Sequence, residues 1–161
     1  MRDYLIKNLC RSLRTSPFQA PLKGWIPVPI FAILAAGIGF GRGMLSFAPL
    51  ISSVAFFLPL TLFVFPSLLE EAFFRGVLIP LDTADRGRGV MVSRIVASTA
   101  LFVAWHPANA LAFNPTAIPL FLDPWFLVIV ALLGITCGYA YAISKSLWVP
   151  VMIHWGTVMV W

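Results

Sequence analysis

Residues 125–143 read WFLVIVALLGITCGYAYAI, a run of 19 residues without a single Asp, Glu, Lys or Arg. An α-helix rises about 1.5 Å per residue, so a run of this length can cross the hydrocarbon core of a membrane, which is about 30 Å thick. Other apolar runs cover residues 25–40, 44–81, 90–105 and 147–161. The sequence therefore predicts an all-α, polytopic membrane helix bundle with about five to six transmembrane helices.

The composition indicates that lipid is the solvent for most of this chain. Of the 161 residues, 60% are hydrophobic and only 11% are charged, and the mean hydropathy is +0.93. These values exclude an ordinary soluble domain, in which roughly a quarter of the residues are charged, and also a disordered or collagen-like chain. The net charge of +5 does not indicate nucleic-acid binding, because the sequence has no basic stripe interleaved with aromatic residues.

The basic residues predict the orientation of the chain in the membrane. Nine of the eleven Lys and Arg residues fall in residues 1–24, in residues 82–94 and at Lys145. If residues 44–81 make one net crossing, all nine lie on one side, which the positive-inside rule assigns to the cytoplasm. We therefore expect a cytoplasmic N-terminus, with residues 1–24 forming a basic interfacial segment that includes a short amphipathic helix. Residues 25–161 are expected to form a single transmembrane domain.

Residues 65–76 read FPSLLEEAFFRG and place two acids and one base inside an apolar run. Ser67 is predicted to be an N-cap, because acidic residues follow it in the capping-box region. Glu71 and Arg75 are spaced i,i+4, in the order that favours a helical ion pair. Glu70 lies about 100° around the helix from Glu71, so one guanidinium cannot hold both carboxylates equally well. We expect Glu71 to pair with Arg75 and Glu70 to face a cavity.

The chain has two histidines, His106 and His154, and each lies in an apolar stretch. His106 is followed by a Pro- and Asn-rich stretch, residues 107–124, which is predicted to form a loop. Placing an ionisable side chain inside a bilayer costs several kcal/mol unless the side chain is paired or solvated by water. Such residues are therefore functional candidates by default. Measured along helices from the predicted inner loops, both histidines and Glu70 lie about 14–18 Å deep, near the middle of the membrane.

A carboxylate and two imidazoles at one depth permit three kinds of chemistry. A carboxylate removed from water is a stronger base and can deprotonate a water with the help of one imidazole, while the other imidazole stabilises an oxyanion. The same three residues can also form a His2Glu zinc site, although the HExxH pattern is absent from the sequence. A proton relay is the third possibility.

Three motifs occur in order within the apolar helices: Glu70-Glu71-x-x-x-Arg75, Phe102-x-x-x-His106 and His154. Together they resemble the motifs of the CPBP family of intramembrane proteases, also called the CAAX protease and bacteriocin-processing, or Abi, family. The resemblance covers residues 66–158, and the compact chain resembles prokaryotic members located in the inner (cell) membrane. It implies a glutamic-type intramembrane endopeptidase that works without a metal or other cofactor.

The resemblance also implies a role for each matched residue. Glu70 would be the general base that activates water, helped by His106. His154 would stabilise the oxyanion of the tetrahedral intermediate. Glu71 and Arg75 would brace the site.

Further supporting roles are implied for residues close to these motifs. Asn109 would orient His106 or a substrate carbonyl, and Phe102 would shape the pocket. The family often has Asn or Asp four residues after the last histidine, where this chain has Val158. Thr157, Asn109 or a backbone group would then have to supply the missing oxyanion donor.

The resemblance further implies a substrate that is a membrane-anchored protein or peptide, cleaved near its C-terminal region or membrane anchor. A prenylated or otherwise lipidated C-terminus and a C-terminal sorting tail both fit this description. Two alternatives remain open. One is a zinc-dependent membrane protease that uses the same Glu and His residues, and the other is a non-catalytic bacteriocin-immunity or binding protein of the membrane. The lipid bilayer is an expected partner in each case.

Overall fold

The structure of the chain is a computed structural model that describes residues 2–47 and 56–161. The described residues form helices and no β-strand, which confirms the predicted all-α class. The α-helices are α1 (Arg2–Arg14), α2 (Pro27–Gly41), α3 (Leu58–Leu62), α4 (Leu69–Glu71), α5 (Arg88–Ala112), α6 (Ile118–Phe121), α7 (Pro124–Ser144) and α8 (Trp148–Val160). Short 3-10 helices cover Pro17–Gln19, Leu22–Gly24 and Pro115–Ala117, and π-helical turns cover Phe63–Leu68 and Ala72–Val77.

Three helices in the described part of the chain are long and apolar enough to cross a membrane, namely Leu22–Gly41, Arg88–Ala112 and Pro124–Ser144. The apolar helix α8 is shorter, at 13 residues. The predicted count of five to six also included the run 44–81, of which residues 48–55 lie outside the described residues. The remainder of that run is divided into short α-helical and π-helical pieces, so it does not form one uniform span.

Helix α7 is the centre of the bundle and packs against α2, α5 and α8. It begins at a side-chain cap, in which Asp123 Oδ1 accepts the backbone N–H groups of Trp125 and Phe126 at 2.8 and 3.1 Å. It ends at Lys145, which adopts the left-handed conformation with φ of 56°. Both ends of the central span are therefore fixed by local geometry.

Glycines on α7 allow α5 to approach closely. A Cβ atom on Gly134 would lie 2.8 Å from Thr99 Cγ2, and one on Gly138 would lie 3.0 Å from Ile95 Cγ2. Small residues are common at helix interfaces in membrane proteins. Lipid provides no hydrophobic driving force for helix association, so the helices are held together by close packing. This contact brings the helix that carries His106 against the centre of the bundle.

The helical segment that carries the two glutamates is broken at Phe65, whose φ and ψ are −123° and 118°. The predicted N-cap role of Ser67 is wrong, because α4 follows Leu68 without a side-chain cap. The Ser67 hydroxyl instead donates to the carbonyl of Leu62 at 2.7 Å. That carbonyl would normally bond the N–H four residues later, but Pro66 has none, and the Ser67 hydroxyl takes its place.

The loop predicted over residues 107–124 is wrong in its first part. Helix α5 continues through Pro107 and ends at Ala112, and Pro115–Ala117 and α6 follow. A proline inside a helix removes one backbone hydrogen bond, but in apolar surroundings the remaining backbone groups have no better partners than those of the helix. The continuation places Asn109 on the same helix as His106, one turn further on.

Helix α1 packs against the bundle at the end of the glutamate-bearing segment. Its buried residue Asn8 accepts the N–H of Leu81 at 3.0 Å. The Asn8 amide also donates to the carbonyls of Gly76 and Ile79, at 3.3 and 3.4 Å. One side chain thereby satisfies three backbone groups where π-helical Ala72–Val77 ends and the polar turn begins.

The same helix contacts the start of α8. The backbone N–H of Leu147 donates to the carbonyl of Ser12 at 3.0 Å, and the Trp148 indole donates to the carbonyl of Leu13 at 2.7 Å. Helix α1 therefore contacts both the glutamate-bearing segment and the helix that carries His154. The predicted helix in residues 1–24 is confirmed, and its position at the membrane surface stays a prediction.

Candidate active site

Glu71 and Arg75 form a fully buried ion pair, as the i,i+4 spacing predicted. Arg75 Nη1 lies 2.9 Å from Glu71 Oε1, and neither side chain is exposed. Arg75 Nη2 also donates to the carbonyl of Gly134 at 3.2 Å, and the guanidinium lies 4.5 Å from the ring centroid of Phe102. Because both charges are out of water, each depends on its partner and on these added contacts.

Glu71 also holds the ring of His154. The Nδ1 atom of His154 lies 2.9 Å from Glu71 Oε1. A carboxylate only accepts, so Nδ1 carries the hydrogen in this contact. The other ring nitrogen, Nε2, then faces away from Glu71 and lies 4.0 Å from Glu70 Oε2. The two adjacent glutamates therefore stand on opposite sides of one imidazole.

The two oxygens of Glu70 have different surroundings. Oε1 accepts a hydrogen bond from the Trp105 indole at 3.0 Å. Oε2 is buried and accepts no hydrogen bond from the described part of the chain. The side chain as a whole is 19% exposed, in contrast to that of Glu71. This difference matches the predicted division, with Glu71 paired to Arg75 and Glu70 facing a cavity.

His106 is oriented by its own helix. Its Nδ1 atom lies 2.9 Å from the carbonyl oxygen of Phe102, so Nδ1 donates and a neutral ring presents a lone pair at Nε2. The ring centroid lies 5.0 Å from those of Phe102 and Phe121 and 5.8 Å from that of Phe126. Three aromatic rings thus hold the imidazole in one position.

A cavity of about 810 Å³ joins these groups. Of the residues predicted for the site, five lie on its wall: Glu70, His106, Asn109, His154 and Thr157. The other three, Phe102, Glu71 and Arg75, are fully buried behind the wall. The structure therefore brings one carboxylate and two imidazoles from three segments to a common space, with the ion pair supporting them from behind.

Much of the remaining wall is aromatic, from Phe65, Phe73, Trp105, Phe121, Phe126 and Trp161. Such a lining can take up apolar side chains or a lipid chain, while the few polar groups fix orientation. Within the described residues, no group of three or more His, Cys, Asp or Glu side chains has the arrangement of a metal site.

Thr157 and Asn109, the two side chains that could replace the family's asparagine, differ in whether they have a hydrogen free to donate. Val158 lines the cavity and offers no donor. The Thr157 hydroxyl donates to the carbonyl of Ile153 at 2.8 Å, so its hydrogen is used within α8. Asn109 lies on the cavity wall with an amide that can donate. Asn109 is therefore the better placed of the two side-chain substitutes.

Trp105 is the site residue that sequence reasoning missed. It sits directly before His106, and its indole N–H reaches a carboxylate 35 residues earlier in the chain. The signal available in the sequence is weak, because tryptophan is common in apolar helices near a membrane interface. Only the folded structure, in which α5 packs against the π-helical turn Ala72–Val77 that follows Glu70, reveals that this indole has a carboxylate partner.

Comparison with known proteins gives one result. The family model described as "Type II CAAX prenyl endopeptidase Rce1-like" matches residues 52–160, about two thirds of the chain. The matched range includes all three predicted motifs. Neither a search of curated proteins nor a search of solved structures finds a significant match.

Proposed function

The chain belongs to the Rce1-like type II CAAX prenyl endopeptidase family, and on that premise we propose that Glu70 activates the water that cleaves its substrate. Membership confirms the resemblance to the CAAX protease family and makes the chain a membrane endopeptidase. The finer proposal concerns mechanism and substrate. We propose that the chain uses a glutamic-type mechanism without a metal. The peptide bond that it hydrolyses lies near the C-terminal region or membrane anchor of a protein substrate.

One observation carries this proposal. Glu70 lines the cavity together with His106 and His154, and its buried Oε2 has no hydrogen-bond donor within the described residues. A buried carboxylate oxygen without a protein donor is costly unless a polar ligand meets it there. A water held by this oxygen would be deprotonated by it as the water attacks.

The proposed hydrolysis requires only Glu70, His106 and one water molecule besides the substrate. The water oxygen attacks the carbonyl carbon of the scissile peptide, and its proton moves to Glu70 Oε2. The lone pair on His106 Nε2 orients the water and shares in this transfer. When the C–N bond breaks, the proton passes to the leaving nitrogen, which gives a carboxylic acid and an amine.

His154 is proposed to stabilise the negative charge that develops on the carbonyl oxygen. Its Nδ1 hydrogen is used by Glu71, so the group available for this purpose is Nε2, and it donates there only in the protonated ring. His154 lines the cavity, and its Nε2 atom lies 4.0 Å from Glu70 Oε2. The Asn109 amide is proposed as a second donor, in the place of the family's missing asparagine.

The proposed substrate is a membrane-anchored protein with either a prenylated C-terminus or a C-terminal sorting tail. The aromatic lining of the cavity supports an apolar substrate segment, and both candidates have one. The proposed orientation places the N-terminus in the cytoplasm, and the proposed location is a prokaryotic inner membrane. The basic segments, with nine of the eleven Lys and Arg residues, support this orientation.

The test is Glu70→Gln in protein reconstituted into lipid vesicles. Turnover is measured on two probes, a farnesylated CAAX peptide and an unmodified sorting-tail peptide. We expect kcat to fall by about 10²- to 10⁴-fold, the usual contribution of a general base. Asp85→Asn is the matched control, since it makes the same change at an exposed carboxylate that pairs with Lys145. This variant should keep wild-type turnover.

Other outcomes separate the alternatives. Full turnover by Glu70→Gln would show that Glu70 is not the base. Stoichiometric zinc in the purified protein, together with loss of activity in a chelator, would assign the zinc-dependent protease. If the wild-type protein cleaves neither peptide, the non-catalytic binding or immunity role gains support.

A further inference from the structure

The indole of Trp105 contacts the carboxylate that is proposed to be the base. Trp105 Nε1 donates to Glu70 Oε1 at 3.0 Å and joins α5 to α4. Both residues line the same cavity, and Trp105 directly precedes His106 on α5. The general base and its proposed helper are therefore both positioned from one turn of one helix.

The side chain that carries this donor is half-buried. Trp105 packs against the buried cluster that includes Phe102 and Phe126, and its ring centroid lies 6.2 Å from that of Phe113. An indole N–H only donates and does not ionise, and its ring rotates about two bonds only. It is therefore a hydrogen-bond donor that cannot become an acceptor, and its partner is one oxygen of Glu70.

We propose that Trp105 is a positioning residue for Glu70. By occupying Oε1, the indole fixes the rotation of the carboxylate and leaves Oε2, 4.0 Å from His154 Nε2, as the oxygen that has no hydrogen-bond donor among the described residues. This inference rests on the proposed role of Glu70 as the base. It adds that the reactive oxygen is selected by a side chain at an unspecified position of the second motif, Phe102-x-x-x-His106.

A positioning role makes a specific kinetic prediction. Without the indole N–H, the carboxylate rotates and Oε2 spends less time aligned with the water. The loss then appears in kcat, while KM stays constant, because the indole N–H contributes to alignment for reaction and not to substrate binding. If Trp105 acted through substrate binding alone, KM would rise and kcat would stay constant.

The first experiment is Trp105→Phe in the vesicle-reconstituted protein, with the same two peptide probes. We expect kcat to fall by about 10- to 100-fold, as for a lost hydrogen bond to a charged group, while KM changes little because phenylalanine keeps an aromatic ring in the cavity wall. The matched control is Trp148→Phe. It removes an indole hydrogen bond of similar length, to Leu13, at a position that does not line the cavity. This control should keep the wild-type kcat.

A second variant separates the donor from the shape of the ring. Replacing the Trp105 indole by its benzothiophene isostere keeps the bicyclic ring and removes the N–H, so it tests the proposal even if Trp105→Phe folds poorly. We expect the same loss of kcat from the isostere. Binding of the uncleaved peptide to Glu70→Gln should not change when Trp105→Phe is added.

The experiments distinguish a wrong role for Trp105 from a wrong role for Glu70. If Glu70→Gln abolishes turnover but the isostere keeps full kcat, Trp105 does not position the base and the inference is wrong. A rise in KM at constant kcat would also overturn it, since Trp105 would then bind substrate. If Glu70→Gln itself keeps full turnover, the proposed base is wrong, whatever Trp105 does.

Discussion

The Nδ1 atom of His154 lies 2.9 Å from Oε1 of Glu71, although 83 residues separate them in the chain. The same oxygen accepts from Arg75 Nη1, also at 2.9 Å. One carboxylate oxygen therefore ties α4 to the π-helical turn after it and to α8. The orientation of the His154 ring depends on a glutamate that does not itself line the cavity.

The first expected outcome concerns Glu71→Gln. The amide keeps the size of the side chain but leaves the Arg75 charge buried without a counter-charge. We expect the free energy of unfolding in detergent micelles to fall by about 3–5 kcal/mol, the usual cost of removing one partner from a buried pair. Glu70→Gln is the comparison and should unfold close to the wild-type midpoint. Equal midpoints for Glu71→Gln and wild type would contradict a structural role for Glu71.

Gly134→Ala should weaken the contact between α5 and α7. The added Cβ would lie 2.8 Å from Thr99 Cγ2 and 3.1 Å from its Oγ1, and a β-branched side chain in a helix has little freedom to rotate away. We expect a loss of stability of about 1–3 kcal/mol, as for other overpacked cores.

Gly37→Ala on α2 is the matched control, because a Cβ there meets nothing within 4 Å. Alanine favours the helix over glycine, so this variant should be as stable as wild type or slightly more so. The quantity to compare is the midpoint of thermal unfolding in the same detergent. Equal midpoints for both alanine variants would show that the helices separate easily at Gly134.

Asn8→Ala should loosen the end of the glutamate-bearing segment. It leaves the buried N–H of Leu81 without its acceptor, at a cost of about 1–3 kcal/mol. The Asn8 donors to Gly76 and Ile79 are lost as well. Amide hydrogen exchange of residues 76–81 should therefore quicken in Asn8→Ala. Unchanged exchange would mean that Asn8 does not cap this end.

The orientation can be tested with the two native cysteines. Cys10 is exposed on α1, whereas Cys137 is buried in α7 and provides an internal control. With a cytoplasmic N-terminus, a membrane-impermeant maleimide should label Cys10 in inside-out vesicles and spare it in intact cells. Labelling in intact cells would reverse the proposed orientation.

The local part of the site could be predicted from sequence. The pairing of Glu71 with Arg75 follows from i,i+4 spacing, and the different position of Glu70 follows from the angle between consecutive helical residues. Both features depend on the geometry of a single helix turn. The structure confirms both, with the ion pair at 2.9 Å and Glu70 on the cavity wall.

The parts that sequence missed depend on packing between distant segments. Nothing in the local pattern says that Trp105 will meet Glu70, or that Asn8 will meet residues 76–81. Ser67 was misassigned because its hydroxyl replaces a hydrogen bond that Pro66 cannot make, which requires knowing the backbone path at Phe65. Pro107 was misjudged because rules for helix ends come from proteins in water.

The hydrogen bonds between α1 and the start of α8 have a consequence for biosynthesis. The carbonyls of Ser12 and Leu13 receive their hydrogen bonds from Leu147 and Trp148, at the start of the helix that carries His154. A ribosome makes α1 first among these elements and α8 after all of them, so neither contact exists while the intervening helices enter the lipid. Glu71 likewise has no histidine to hold until that late stage. On the proposed mechanism, the nascent chain therefore completes its active site only when α8 has been inserted.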